Sequence, residues 1–114
     1  MLTKDEILSK SVLKRETVTV AELGGDVVVS EMSGAQRDAW EQTLSIRDKQ
    51  GRLVNTRAKL VVATLVNEDG SRVFGDDDVD RVGGMPSGVL DRLCDVAQRL
   101  NRLRPEDVED ARKN

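Results

Sequence analysis

The sequence predicts an α+β fold in which an N-terminal β-hairpin packs against a small bundle of about four helices. Three observations lead to it. Valines alternate with polar residues on both sides of Gly24-Gly25, at the period of two that strands require. Apolar residues recur at spacings of 4, 3, 4 and 3 from Val89 through Leu93, Val96 and Leu100 to Leu103, the signature of one helix face. Two capping boxes, Thr3 with Glu6 and Ser33 with Gln36, mark helix starts. A length of 114 residues is that of a single domain, here residues 1–114. With Trp40 and Phe74 as the only aromatics, its core must be aliphatic.

Taken in order, the Thr3 box opens a short helix to about Lys10, inside an N-terminal segment 1–15 read as helical or flexible. The hairpin spans about residues 16–31, with Val18 and Val20 on one face of its first strand and Val27 and Val29 on one face of its second. Gly24 and Gly25 can both supply the positive φ of the reversal. Ser33 caps a second helix over about residues 34–47, on which Ala39, Trp40, Thr43, Leu44 and Arg47 share a side. Trp40 is expected to anchor the core against the hairpin, and Gly51 to stop the helix.

Residues 56–66, TRAKLVVATLV, carry two readings. Val61, Val62, Thr64 and Val66 suit a strand that pairs with SRVF through the turn NEDG. Ala58, Val61, Val62, Leu65 and Val66 equally form the face of a buried helix with Thr56 as its cap.

The stretch NEDGSRVFGDDDVDRVGG places six acids and four glycines in eighteen positions and raises the question of a cation site. A calcium loop of the EF-hand type fails in register. With Gly70 at its sixth position, Leu65 falls on the first ligand and Asp76, not Glu, on the twelfth. The alternative accounts for every residue: a turn at 67–70, Val73 and Phe74 dropped onto the core, and Asp76 or Asp77 capping a short helix near 78–82. Gly83-Gly84 closes it. Pro86 is then the first residue of the long helix, with Leu90, Cys94 and Ala97 widening its stripe. Arg104-Pro105 breaks that helix, and residues 105–114 read as a short helix and a polar tail. The expected core is Val20, Trp40, Leu44, Val62, Leu65, Phe74, Leu93 and Leu100.

Composition narrows the function. The net charge is −3 with acids and bases interspersed, and two aromatics make no stacking platform, so nucleic acid is not an expected partner. No apolar run reaches the ~20 residues of a membrane span, and the charged N-terminus lacks the apolar centre of a signal peptide. A single Cys94 allows no internal disulfide, and a cytosolic location is expected. The absence of histidine removes the commonest general base and the usual nucleophile–base pairs. No catalytic, cofactor-binding or metal-binding residue is assigned, and no residue is assigned to a partner surface.

Several fragments, in order, resemble the tail assembly chaperones of long, non-contractile-tailed bacteriophages. They are DVVVSEMSGAQRDAWEQ, RAKLVVATLVNEDGSRVF, the Asp-rich short helix, and LCDVAQRLNRLRPEDVEDARKN, whose Leu100-Asn101-Arg102-Leu103-Arg104-Pro105-Glu106-Asp107-Val108-Glu109 fits that family's closing motif. The resemblance runs from about Val18 to the C-terminus and favours the helical reading of residues 56–66. It implies a non-enzymatic protein without cofactors, made during infection in the host cytoplasm and absent from the mature virion. It would bind and solubilise the tape-measure protein and help recruit tail-tube subunits. Weak homo-oligomers suit a coat of many copies, and exposed hairpin edges and helix stripes could template them. The resemblance also implies a longer product made by frameshifting, which would carry the tail-tube contact. A small structural or connector protein that stays in the tail is the alternative.

Overall fold

A computed structural model describes residues 1–104. The chain runs through helix α1 (Lys4–Lys10), strand β1 (Arg15–Val20), a 3-10 turn (Ala21–Leu23), strand β2 (Gly25–Ser30) and helix α2 (Gly34–Thr43). It continues through α3 (Thr56–Thr64), the two-residue strand β3 (Leu65–Val66), a 3-10 turn (Asp76–Asp78), α4 (Val79–Gly83) and α5 (Ser87–Leu100). The fold is α+β, as the sequence predicts. The expected helix and tail at residues 105–114 lie outside the described residues.

The hairpin sets one wall of the core. In its antiparallel register Val18 faces Val27 and Glu16 faces Val29, so alternate positions send Val18, Val20 and Val29 inward together. The reversal differs from a two-glycine turn. Residues 21–23 make a 3-10 turn, Gly24 alone takes a left-handed φ of 73°, and Gly25 already belongs to β2. Strand β3 pairs with β2, Val28 opposite Val66 and Val29 opposite Leu65, giving the sheet order β1-β2-β3. Helix α5 lies across β1 and β2, and α3 packs on α5 and α4, with α2 beside α3. Leu60, Val61, Val62, Val82, Val89, Leu93 and Ala97 fill the space between them.

Residues 56–66 realise both readings. They are helical to Thr64, then enter the sheet, and the chain returns through a turn in which Asn67 N–H donates to Ser71 O at 2.7 Å and Val73 N–H to Leu65 O at 3.2 Å. The helix is preceded by Asn55 in a left-handed conformation, φ 53°, and Thr56 is its first residue, not its cap. Gly70 also needs its freedom: φ is 90° and the Arg15 guanidinium lies where a Cβ would stand.

Other boundaries shift for local reasons. Helix α2 ends at Thr43, four residues short of the expected end, because hydroxyls of Thr43 and Ser45 donate back to Trp40 O (2.6 Å) and Gln42 O (2.9 Å). Gly51, φ 78°, belongs to a separate turn in which the Asp48 carboxylate accepts the amides of Gln50 and Arg52, both at 2.9 Å. Pro86 precedes α5 and does not belong to it. Val73 is 44% exposed and not a core residue, while Leu44, Phe74 and Leu100 sit half-buried at the core margin. Val20, Trp40, Val62, Leu65 and Leu93 are buried as expected.

Helix α5 ends before the expected Arg104-Pro105 break. Arg102 N–H donates to Arg99 O and Leu103 N–H to Gln98 O, the paired bonds of a Schellman close, which folds Leu103 back into the core. Arg102 holds the left-handed position, φ 53°, that glycine usually takes. Arg102→Gly should therefore raise stability by about 0.5–1 kcal/mol, since the side chain is exposed and only its backbone strain is relieved. Urea unfolding checks it, and an unchanged or lower midpoint would show that Arg102 bears no strain there.

Two arginines spaced seven apart on α5 fasten it to the hairpin. Arg92 grips Glu22 with bonds of 3.0 and 2.7 Å, and Arg99 grips Glu16 with bonds of 2.9 and 2.7 Å. The guanidinium hydrogen bonds hold both carboxyls below their ordinary 4.5. A carboxyl depressed by folding contributes stability above its unfolded pKa and loses it as pH falls through the folded value. Melting temperature should therefore decline on acidification below about pH 4.5, and Glu16→Gln with Glu22→Gln should make that decline shallower. An identical acid limb in the double variant would show that these pairs contribute nothing.

Candidate functional site

The surface that stands out is an apolar groove between α2 and α3. The early end of α2 creates it. Trp40 turns into the core at 4% exposure, Ala39 beside it stays at the surface, and Ile46, past the helix end, is left 58% exposed at the rim. Lys59, Val62 and Ala63 of α3 form the opposite wall, and Arg72, Asp76 and Val79 close one end. The enclosed volume is about 350 Å³, at the small end of ligand-sized cavities.

Backbone ends anchor the charged rim. Lys59 Nζ donates to Thr43 O at 2.8 Å, a carbonyl at the end of α2 that also accepts Ile46 N–H at 3.3 Å, and partial burial pushes the Lys59 pKa down. Arg72 donates through Nε and Nη2 to Val62 O, at 3.2 and 3.1 Å, in the last turn of α3, and pairs with Asp76 at 3.0 Å. The rim thus has two fixed cations and one carboxylate. The Trp40 Nε1–H behind it is buried without an acceptor. Such a site can take apolar side chains and a compensating carboxylate.

A second uncovered surface is α1. Its capping box is complete, with Glu6 N–H donating to Thr3 Oγ1 at 3.2 Å and Thr3 N–H to Glu6 Oε1 at 3.3 Å. None of its residues is buried, and Leu2, Ile7, Leu8 and Val12 stand exposed around it.

The acidic stretch is built as turns and helix starts. The Asp69 carboxylate accepts the Ser71 amide (2.9 Å) and hydroxyl (2.6 Å), which lowers its pKa. Asp76 pairs with Arg72. Neither Asp76 nor Asp77 caps α4 as expected; Asp78 stands at its N-cap without a side-chain cap bond, and its carboxylate accepts Gly75 N–H at 2.8 Å across the preceding 3-10 turn while pairing with Arg81. Among the described residues no group of three or more acidic, cysteine or histidine side chains could hold a metal ion. Cys94 is buried, its thiol 3.5 Å from Arg57 O. No helix among the described residues is long and apolar enough to cross a membrane.

The sequence places Ala39, Trp40 and Thr43 on one helix side and Val62 in the core, but marks no groove between them. Ile46, an apolar residue in a polar loop, and Ala39 beside Trp40 were the available signals, but both also suit a helix that continues to Arg47.

Comparisons with known proteins follow the fold. Residues 3–114 match the family model described as phage tail assembly chaperone. The chain is similar to the solved structure of the bacteriophage HK97 tail assembly chaperone, with a TM-score of 0.59 and 24% sequence identity over 82% of this chain and 89% of that one. No curated protein matches it. The likeness in structure speaks to the fold alone; the family match covers nearly the whole sequence.

Proposed function

The chain belongs to the phage tail assembly chaperone family, and from that premise we propose that it binds the tape-measure protein, keeps it soluble and helps bring tail-tube subunits to it. The observation that carries this reading is apolar surface left open on a small, strongly charged chain: the α2–α3 groove and the exposed side chains around α1. A holding chaperone must offer such surface to a partner's apolar stripes while its outer face stays polar. The reading includes no catalytic step and no cofactor. The chain acts as one unit in the host cytoplasm, associates weakly with further copies, and leaves before the virion is complete. Tail-tube contact falls mainly to a longer frameshifted product.

Co-expression with the tape-measure protein of the same genome tests it. The expected result is a soluble complex that co-purifies, with the tape-measure protein insoluble when made alone. Failure to co-purify would remove the tape-measure role, and abundance of this chain in purified virions would favour the structural alternative.

A further inference from the structure

We propose that the α2–α3 groove takes one kind of tape-measure segment: a helix whose apolar stripe carries an Asp or Glu one turn away, which pairs with Lys59. The inference rests on the tape-measure reading above and adds to it the chemistry by which a segment is chosen. The walls set the form of the occupant. They are helices α2 and α3, and none of the residues lining the groove belongs to a strand. A segment docking there gains no ladder bonds, so it must satisfy its own backbone, as a helix does. A volume of about 350 Å³ admits a few side chains of such a helix and not its whole width. Ala39, Val62 and Ala63 give those side chains an apolar floor, and Ile46, 58% exposed, gives them an apolar rim.

Charge sets the rest. Arg72 is compensated in the free chain by Asp76, at 3.0 Å. Lys59 is not: it donates to the Thr43 carbonyl, and no carboxylate of the described residues pairs with it. Its ammonium has also lost part of its water, and this burial pushes its pKa down. A partly buried cation without a counter-charge is a cost that the free chain carries. A carboxylate brought by the partner removes that cost and meets the N–H donors that Thr43 leaves unused. A basic segment would meet Lys59 and Arg72 with like charge and be refused. The groove therefore reads apolar residues with a carboxylate three or four positions away, on one helix face.

Trp40 is the only tryptophan and lines the groove, so its emission follows occupancy. The probes are overlapping peptides of about 20 residues, long enough to hold a helix, that span the tape-measure protein of the same genome. Each is titrated into the full chain. Peptides that shift Trp40 emission should carry the apolar-plus-acid pattern, and replacing that acid by its amide should weaken binding by about tenfold. Lys59→Glu should reverse the preference, binding a peptide with lysine in place of the acid better than the original. A merely structural Lys59 would weaken both peptides alike. Ala39→Glu, at an exposed position of the groove, should block every peptide, with an unchanged thermal melt showing that the variant folds. Bound peptides without an acid, amide forms that bind as tightly, or a Lys59→Glu chain that keeps the original preference would each overturn the proposal. So would peptides that leave Trp40 emission unmoved while concentrating the chain alone shifts it, since a second copy would then be the occupant. Co-purification with the full-length tape-measure protein separates the two readings. If wild type and Ala39→Glu retain that protein equally, the tape-measure role stands and the inference fails. If wild type does not retain it, both fall.

Discussion

Replacing Trp40 with alanine should lower folding stability by about 3–5 kcal/mol, the cost of deleting a large buried aromatic side chain and leaving its volume empty. The ring is 4% exposed and joins the core that the hairpin, α3 and α5 share. Little around it can collapse, since Lys59, Val62 and Ala63 are held on a helix packed against both α4 and α5. Trp40→Phe should cost far less, under about 1.5 kcal/mol, because most of the volume stays. It also removes the buried indole N–H that has no acceptor, which offsets part of the lost area. Urea unfolding measures both, with the slope checked for constancy. A loss near zero for alanine would place the ring outside the core and make it a surface for partners.

Asn101→Ala should cost about 1–3 kcal/mol, the penalty for leaving a buried backbone group unpaired. Asn101 is 8% exposed and joins two parts of the chain. Its Oδ1 accepts Met32 N–H at 2.7 Å, and its Nδ2 donates to Ala97 O at 2.8 Å and to Ser30 O at 3.5 Å. The amide therefore ties the exit of β2 to the last turn of α5, where no ladder or helix bond is available to Met32. Alanine supplies no acceptor for that amide. Two measurements check this: the urea midpoint, and hydrogen exchange at the Met32 amide, which should accelerate. A change within about 0.5 kcal/mol, as for an ordinary surface position, would show that the clamp is not needed.

Neither the clamp nor the groove was legible in the sequence, and for related reasons. Asn101 appears in the closing motif that resembles the family, yet nothing in the sequence says that its amide reaches a residue 69 positions earlier. The groove depends on how far α2 runs and on where residues 72–79 return, so no local pattern marks its walls. Residues 56–66 show the limit most clearly. A run of β-branched residues satisfies the helix period and the strand period together, and the open pairing positions beside Val28 and Val29 draw Leu65 and Val66 into the sheet. The acidic stretch was legible as a turn and a helix start, but not which aspartate would reach back to Gly75.

By itself the sequence determined what short-range periodicity and capping chemistry can carry. The two capping boxes, the inward valines of the hairpin, and the apolar face of α5 stand where their spacing puts them, because side-chain direction follows from position within a helix or strand. The tertiary structure alone decided which element ends give way and what fills the gaps they leave. The Thr43 carbonyl at the end of α2, the Val62 carbonyl and the Met32 N–H are satisfied by Lys59, Arg72 and Asn101, residues 16, 10 and 69 positions away. A buried backbone group takes whichever partner the packed chain brings within about 3 Å, and that neighbour is set by the whole fold.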